Sequence, residues 1–350
     1  MNDLQGLRVL VAGAGAVGSV TALTLLRCGA SVHLADRASR GDNASGVAAG
    51  MLAPAFEALL DPVSAEHFPI LAAARMGWAD LADSLPAGQT LIDRSGALYF
   101  AKDDADLRRR AERLAAFDPS SEILGAAQAQ ALSAGLRAPG PGLFSALDWR
   151  LEPGATLAAL HKAFLQEGGA FLAQAVDRQW RNGADVLVLA TGADAMPVEL
   201  PESGLLTPIK GHILRFEKAG PGRGPVVRAP GVYVAPVSGG AAVGATMQAG
   251  RSDREIEAGA VAELREAGAQ LFPQLIGSSR PQVGIRAATP DGLPLAGPSG
   301  GDARIFLAAG ARRNGWLLAP AIADVIAARL RGLESGAFGA AFDPGRFAIR

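Results

Sequence analysis

The sequence predicts an α/β protein, with one domain built on a parallel sheet and a second, α+β domain whose sheet is mostly antiparallel. Three observations carry this expectation. Residues 9–36, VLVAGAGAVGSVTALTLLRCGASVHLAD, read as an apolar strand, a glycine turn, an amphipathic helix, a second apolar strand and a terminal acid. Two later segments, 185–192 and 305–315, repeat the step from an apolar strand into a glycine turn. Between them, residues 211–250 have a β texture, with turns at 220–224 and 239–240.

Each part of the opening segment has a physical task. Gly13 lets the chain turn sharply off the first strand, Gly15 carries no side chain to hold a pyrophosphate away, and Gly18 lets helix and strand pack closely. The phosphates would meet free N–H groups and the positive end of the helix. Asp36 ends the second strand about 20 residues on, where a carboxylate accepts ribose hydroxyls. The order is that of a Rossmann-like dinucleotide-binding unit.

The elements follow in order. Arg8–Ala12 and Ser31–Ala35 are buried parallel strands, and 16–28 is the helix between them, closed by Gly29. Residues 38–45 form a loop, 47–60 look helical, and 64–85 carry a helical period ending near Pro86. Residues 90–101 suggest a hairpin, 103–117 an amphipathic helix and 128–132 a short one. A strand at 143–147 precedes a helix at 153–168, stopped by Gly168 and Gly169. Residues 185–189 are a fully apolar strand. Residues 212–217 and 232–236 alternate as strands, and 241–245 is another. A helix at 255–271, a short strand at 283–286, the strand Ile305–Ala309 and a helix at 320–330 opening on Pro320 complete the chain. Residues 1–86, 148–206 and 283–350 would build the nucleotide domain, and 87–147 with 207–282 the domain over the ligand crevice.

Composition bounds the function. The 350 residues suffice for about two domains. With 49% hydrophobic and 19% charged residues, a large core forms and disorder is not expected. A net charge of −1 without a basic block argues against nucleic acid or an anionic membrane as partner. Apolar runs are short and glycine-interrupted, so no membrane span is expected, and the first apolar run reads as a strand and not a leader. The single cysteine, Cys28, reads as a packing thiol and fits a cytoplasmic setting.

Catalytic equipment of the usual kinds is sparse. The four histidines, His33, His67, His161 and His212, lack metal spacing, and no nucleophile elbow appears. A dinucleotide site with few acid–base groups fits chemistry that belongs to a cofactor. Arg286 ends a short apolar strand and either presents its planar fork to a carboxylate or makes a surface ion pair. Tyr233 could join it on the same carboxylate or serve as an amphipathic wall residue. Arg313, in GARRNGWLLAP, follows a buried strand, where open sheets place ligands; at least one of Arg312 and Arg313 also fits a solvated loop. Ala48, Ala49, Gly50 and Met51 suit the close approach of a flat ring, or an alanine-rich helix start. Met247 lines an apolar pocket or the core.

Together, the opening motif, AAGMLAP at 48–54, TPIKGH at 207–212, YVAP at 233–236, VGATM at 243–247, GIRAATPDGLP at 284–294 and GARRNGWLLAP at 310–320 resemble the D-amino-acid oxidase superfamily. They are most similar to its glycine-oxidase branch, which serves bacterial thiamine synthesis. The resemblance implies non-covalent FAD. Gly13, Gly15, Ala16, Val17 and Gly18 would cradle the pyrophosphate, with Asp36 and Arg37 at the ribose end and Val176 touching adenine through its backbone. Ala48, Ala49, Gly50 and Met51 would face the flavin ring, and Thr191 and Gly192 would approach the cofactor. Arg286 and Tyr233 would hold a substrate carboxylate, with Met247 in the pocket; Arg313 and Asn314 would lie by the flavin, and Gly315, Trp316 and Leu317 near its pyrimidine end. Asp36, Gly231, Val237, Ala287 and Ala311 depart from the commoner family residues, which leaves the substrate open.

The implied reaction is oxidative deamination of glycine or another small D-amino acid: a hydride passes from Cα to flavin N5, and dioxygen then yields hydrogen peroxide. No protein base is required if the amine binds neutral, and no metal is called for. Rival readings are a D-amino-acid dehydrogenase that passes electrons to a quinone, a covalent-flavin sarcosine-oxidase type, a non-catalytic flavin protein, and a domain acting on a tRNA-borne amino acid. Oligomeric state stays open.

Overall fold

The computed structural model describes residues 4–347 apart from 40, 87 and 195. The opening unit forms as its sequence suggests: β1 (Arg8–Ala12), α1 (Ala16–Arg27) and β2 (Ser31–Ala35). The two strands run parallel, from Arg8 opposite Ser31 to Ala12 opposite Ala35. Gly29 leaves the helix at φ +96°, the left-handed exit that glycine favours.

Next come α2 (Ala44–Val47), β3 (Met51–Leu52), α3 (Pro54–Leu60), α4 (Pro62–Glu66) and α5 (Phe68–Asp83). The single helix expected over 47–60 is therefore split. Gly50 sits at φ +74°, and a Cβ there would lie 2.1 Å from the Leu151 carbonyl oxygen. The chain turns at Gly50, and Pro54 restarts helix at its first position.

The hairpin expected over 90–101 is also corrected. It contains β4 (Ile92–Asp93) and β5 (Ala97–Tyr99), which join different sheets. Between them the Asp93 carboxylate accepts the Ser95 N–H at 2.9 Å and a bond from Arg150 at 2.7 Å, bending the chain away from a two-strand ladder. There follow α6 (Asp104–Phe117), β6 (Glu122–Leu124), α7 (Ala126–Ala131), β7 (Gly142–Ser145), β8 (Trp149–Leu151), α8 (Pro153–Gln166), β9 (Ala170–Leu172) and β10 (Val186–Leu189).

The β-rich stretch comprises β11 (Thr207–Glu217), β12 (Val226–Ala229), β13 (Val232–Val237), β14 (Gly240–Gly244) and β15 (Gln248–Ala249). The chain closes with α9 (Ala258–Leu271), β16 (Arg280–Ala288), β17 (Leu295–Pro298), β18 (Ile305–Ala309), α10 (Gly315–Leu330) and α11 (Gly336–Ala341). Pro320 lies inside α10 and does not start it. A proline cannot bond the carbonyl four residues back, that of Trp316. That carbonyl instead accepts the indole N–H of Trp78, so the helix continues. Gly77 makes room, since a Cβ there would lie 2.9 Å from Pro320 Cβ.

Three sheets result. A six-stranded sheet has the order β17-β18-β10-β1-β2-β9, parallel except at β17. Both its faces are buried: Val186 and Val188 of β10 join the core with α1 and α10, while Leu187 and Leu189 join a second cluster around Trp180. Burial on both faces makes these strands continuously apolar. A nine-stranded, mostly antiparallel sheet has the order β15-β11-β14-β13-β12-β5-β7-β6, with β16 also paired to β11. The boundary expected at 283 thus falls inside β16, which runs beside β11 from Arg280 to Ala288. β11 is buried on both faces and does not alternate: Ile213 packs with Phe56 and Tyr99, whereas Leu214 and Phe216 pack with Leu264 and Leu271 of α9. A three-stranded sheet, β3-β8-β4, completes the set. Cys28 is half-buried against the main core and unpaired.

Candidate functional site

A cavity of about 650 Å³ lies at the carboxyl ends of β1, β10 and β18, three parallel neighbours. That is where an open parallel sheet leaves a crevice. Gly13, Gly15, Ala16 and Val17 form one wall, and Thr191 and Gly192 another. Gly13 has φ +106°, and a Cβ on it would lie 2.3 Å from the Ala190 carbonyl oxygen. Gly18 stands behind this wall, where a Cβ would lie 1.8 Å from the Gly13 carbonyl oxygen. The glycines therefore serve the turn, its backbone surface and the strand–helix contact. No side chain of Gly15 caps α1; the hydroxyl of Ser45 accepts the Ala16 N–H at 2.9 Å.

Asp36 reaches the same wall. One carboxylate oxygen accepts the Ala14 N–H at 2.7 Å and the other the Ala38 N–H at 2.8 Å, so the acid locks the glycine turn to the end of β2. Carboxylate oxygens accept more than one bond each, which leaves capacity for ribose hydroxyls. Arg37 is exposed at the rim and pairs with Asp194 at 3.1 Å. Val176 lines the same cavity as Asp36. A backbone cradle at a helix start, a carboxylate beyond it and a small-residue turn fit a flavin dinucleotide.

Of the expected ring-facing residues, Ala48 lines the cavity. Ala49 is buried in the core around Phe56, Gly50 faces the Leu151 carbonyl, and the Met51 sulfur accepts from Arg228 at 3.1 Å; none of the three is on the cavity wall. Arg313, Gly315 and Trp316 line it, whereas Asn314 and Leu317 are buried behind.

Arg286 projects from β16 into this cavity across Gly211, where a Cβ would lie 2.4 Å from its Nη1. Its one bond is a 3.5 Å donation to the Thr246 carbonyl, and no carboxylate among the described residues pairs with it. Desolvation lowers its pKa, and the neighbouring Arg313 and Arg312 act in the same direction against the pull of Tyr233 and Glu57. Tyr233 is buried in β13 with its hydroxyl beside Gly244, where a Cβ would lie 2.5 Å away. Burial pushes its phenol up, against the field of Arg286. Tyr233 packs in the core behind the cavity wall, and Met247 is an exposed side chain away from it.

Sequence reasoning missed the charges that organise this end. Glu57 of α3, 4% exposed, pairs with Arg313 at 3.0 Å and with Arg228 at 3.0 Å. Desolvation opposes its ionisation, but the two guanidiniums outweigh it and hold the carboxyl below its usual value. Arg312, at φ +50°, pairs with Asp61, so both arginines of the 310–315 turn are fastened to the α3–α4 segment. Asp148 caps α3, accepting the Ala55 and Phe56 N–H groups at 2.8 and 3.1 Å. Burial pushes its carboxyl up to about 7, against the pull of Arg228 and those bonds. A lone acid in an otherwise apolar helix, and a lone arginine in the apolar strand VVRA, are the signals that point to Glu57 and Arg228.

Among the described residues no group of histidine, cysteine and acids is placed to hold a metal, and no helix is long and apolar enough to cross a membrane. The chain matches the profile of the family DAO, FAD dependent oxidoreductase, over residues 8–329. It is 29% identical to a glycine oxidase of Pseudomonas aeruginosa, over 93% of this chain and 95% of that one. It is 34% identical to a protein of Rhizobium etli named for a thiamine biosynthesis oxidoreductase, ThiO, over 93% and 96% of the two chains. The crystal structure of glycine oxidase from Geobacillus kaustophilus superposes with a TM-score of 0.83 at 25% identity, covering 98% of this chain and all of that one.

Proposed function

The chain belongs to the DAO family of FAD-dependent oxidoreductases, and from that premise we propose that it oxidatively deaminates glycine or another small amino acid, with Arg286 as the carboxylate anchor. One observation carries the reading: a half-buried guanidinium on the wall of the cofactor cavity with no acid among the described residues paired to it. Arg313 differs, because Glu57 already occupies its fork. A substrate carboxylate therefore docks on Arg286, with Tyr233 behind it.

FAD, when bound, supplies the acceptor for the Cα hydrogen and its electron pair. The residues at this end hold and orient. Arg286, Arg312 and Arg313 line the cavity and present a positive field. Such a field disfavours an ammonium group, so the amine loses its proton to solvent as it binds and needs no side-chain base. Ala287 and Ala311 leave the adjoining wall apolar and short of polar contacts, which suits a small substrate. The likeness to ThiO supports a product that feeds thiamine synthesis, and the glycine oxidases support dioxygen as the acceptor.

Replacing Arg286 by Ala tests the anchor. Charge-assisted bonds of this kind imply a KM increase of roughly 10- to 150-fold, with FAD affinity unchanged. An unaltered KM would remove Arg286 from the substrate.

A further inference from the structure

The short helix α2 and the turn after it are gripped from four sides. The Ser45 hydroxyl accepts the Ala16 N–H of α1 at 2.9 Å. Its carbonyl accepts the Trp316 indole N–H at 3.0 Å. Gly284 of β16 packs against the helix, where even a Cβ would make only ordinary contact, 3.4 Å from Ala44 Cα. The fourth grip is Arg215 of β11, whose Nη2 donates to the carbonyls of Val47 at 2.8 Å and Ala48 at 2.7 Å and, more weakly, to Gly46 at 3.4 Å.

Arg215 has no carboxylate partner among the described residues; its Nε meets the Gln282 amide oxygen at 3.3 Å. A desolvated guanidinium held only by backbone carbonyls and an amide costs more than an apolar side chain would at that place, so its geometry needs a reason. The carbonyls at a helix end are its electronegative pole, where a cation is favoured. Arg215 belongs to the nine-stranded sheet, yet the carbonyls it holds lead into the turn with Ala48, on the wall of the cofactor cavity.

We propose that Arg215 is a positioning residue for FAD: from the substrate-side sheet it fixes the 46–48 carbonyls, and through them the turn at Ala48 against which the flavin ring lies. The assignment rests on the reading that the ring lies at Ala48. It makes the substrate-side sheet part of the cofactor's seat, so that cofactor and substrate are held in register by one strand pair, β11 with β16, which also carries Arg286.

The test compares native protein with Arg215→Met and Arg215→Lys, each as holoprotein and after flavin removal, by FAD titration and by melting temperature with and without FAD. Arg215→Met is expected to raise the FAD Kd about 10- to 100-fold, and Arg215→Lys, with one cationic head for three carbonyls, by less. The increase in Tm that FAD confers shrinks accordingly, and the flavin absorption bands shift. An unchanged Kd, with apo- and holoprotein melting lower by the same amount, would overturn the proposal and leave Arg215 a purely structural tie. If Arg215→Met does not accumulate, Arg215→Gln, which keeps a neutral donor, makes the same comparison. Ala48→Phe separates the two layers: it is expected to weaken FAD binding, and native-like affinity in that variant would displace the ring from Ala48 altogether. Weakened Ala48→Phe beside an unaffected Arg215→Met would remove Arg215 alone.

Discussion

The cavity has two unlike ends. The end beside α1 is made of backbone: a glycine turn, a helix start and one acid that binds two N–H groups. The end beside Arg286 is made of long charged side chains, with Glu57 between Arg228 and Arg313, Asp61 on Arg312, and Arg286 left over. The first end binds by shape and by N–H groups that any dinucleotide can use. The second sets four guanidiniums against two carboxylates, and that excess of positive charge, with Arg286 the one left without a carboxylate, selects an anion. A cofactor that stays can be held by uniform contacts, whereas a substrate that turns over has to be recognised and placed.

The contrast breaks most readily at the backbone end. Gly18→Ala puts a methyl 1.8 Å from the Gly13 carbonyl oxygen, and a backbone atom cannot yield as a flexible side chain does. The variant is expected to purify without flavin; native flavin content would show that the close contact is dispensable. Next comes Glu57→Gln, which leaves one buried guanidinium, Arg228, and one half-buried, Arg313, facing a neutral amide. Removing one partner of such a group costs about 3–5 kcal/mol, or roughly 5–15 °C in Tm. A Tm within a degree of native would show that Glu57 does not balance them.

A pH dependence at Asp148 comes last, because it builds only gradually with pH. Its folded pKa of about 7 lies above the ordinary carboxyl value, so between the two the folded protein holds a proton that the unfolded chain has released. Stability from this group is full below the unfolded value and is lost as pH rises through about 7, by at most about 1.4 kcal/mol per pH unit. Asp148→Asn is expected to flatten that slope between pH 4 and 7, as read by denaturant melts. An identical slope in the variant would assign the dependence elsewhere.

The same contrast explains what could be read from the chain. The turn, α1 and Asp36 lie within one βαβ unit, so their chemistry is written in consecutive residues. Glu57 and its arginines are 171 and 256 residues apart in sequence, and no local pattern joins them. Arg286 stood out because the sequence reads it as the end of an apolar strand; β16 in fact runs on to Ala288, and that Arg286 lacks a carboxylate partner is visible only when β16 lies on β11. Local reading also failed where tertiary contacts override propensity. The alanine-rich stretch at 47–60 breaks at Gly50 because β8 crosses it, and α10 passes through Pro320 because Trp78 takes the carbonyl that the proline leaves open.

In the proposed reaction this cavity holds a flavin that a small amino acid docked on Arg286 reduces. Anaerobic mixing of the native holoprotein with glycine, sarcosine, D-alanine and D-proline in turn tests it most directly. The yellow flavin colour is expected to bleach with at least one of them and to return, with hydrogen peroxide, when air is admitted. A flavin that stays oxidised with all four would contradict it, and bleaching that air does not reverse would contradict dioxygen as the acceptor.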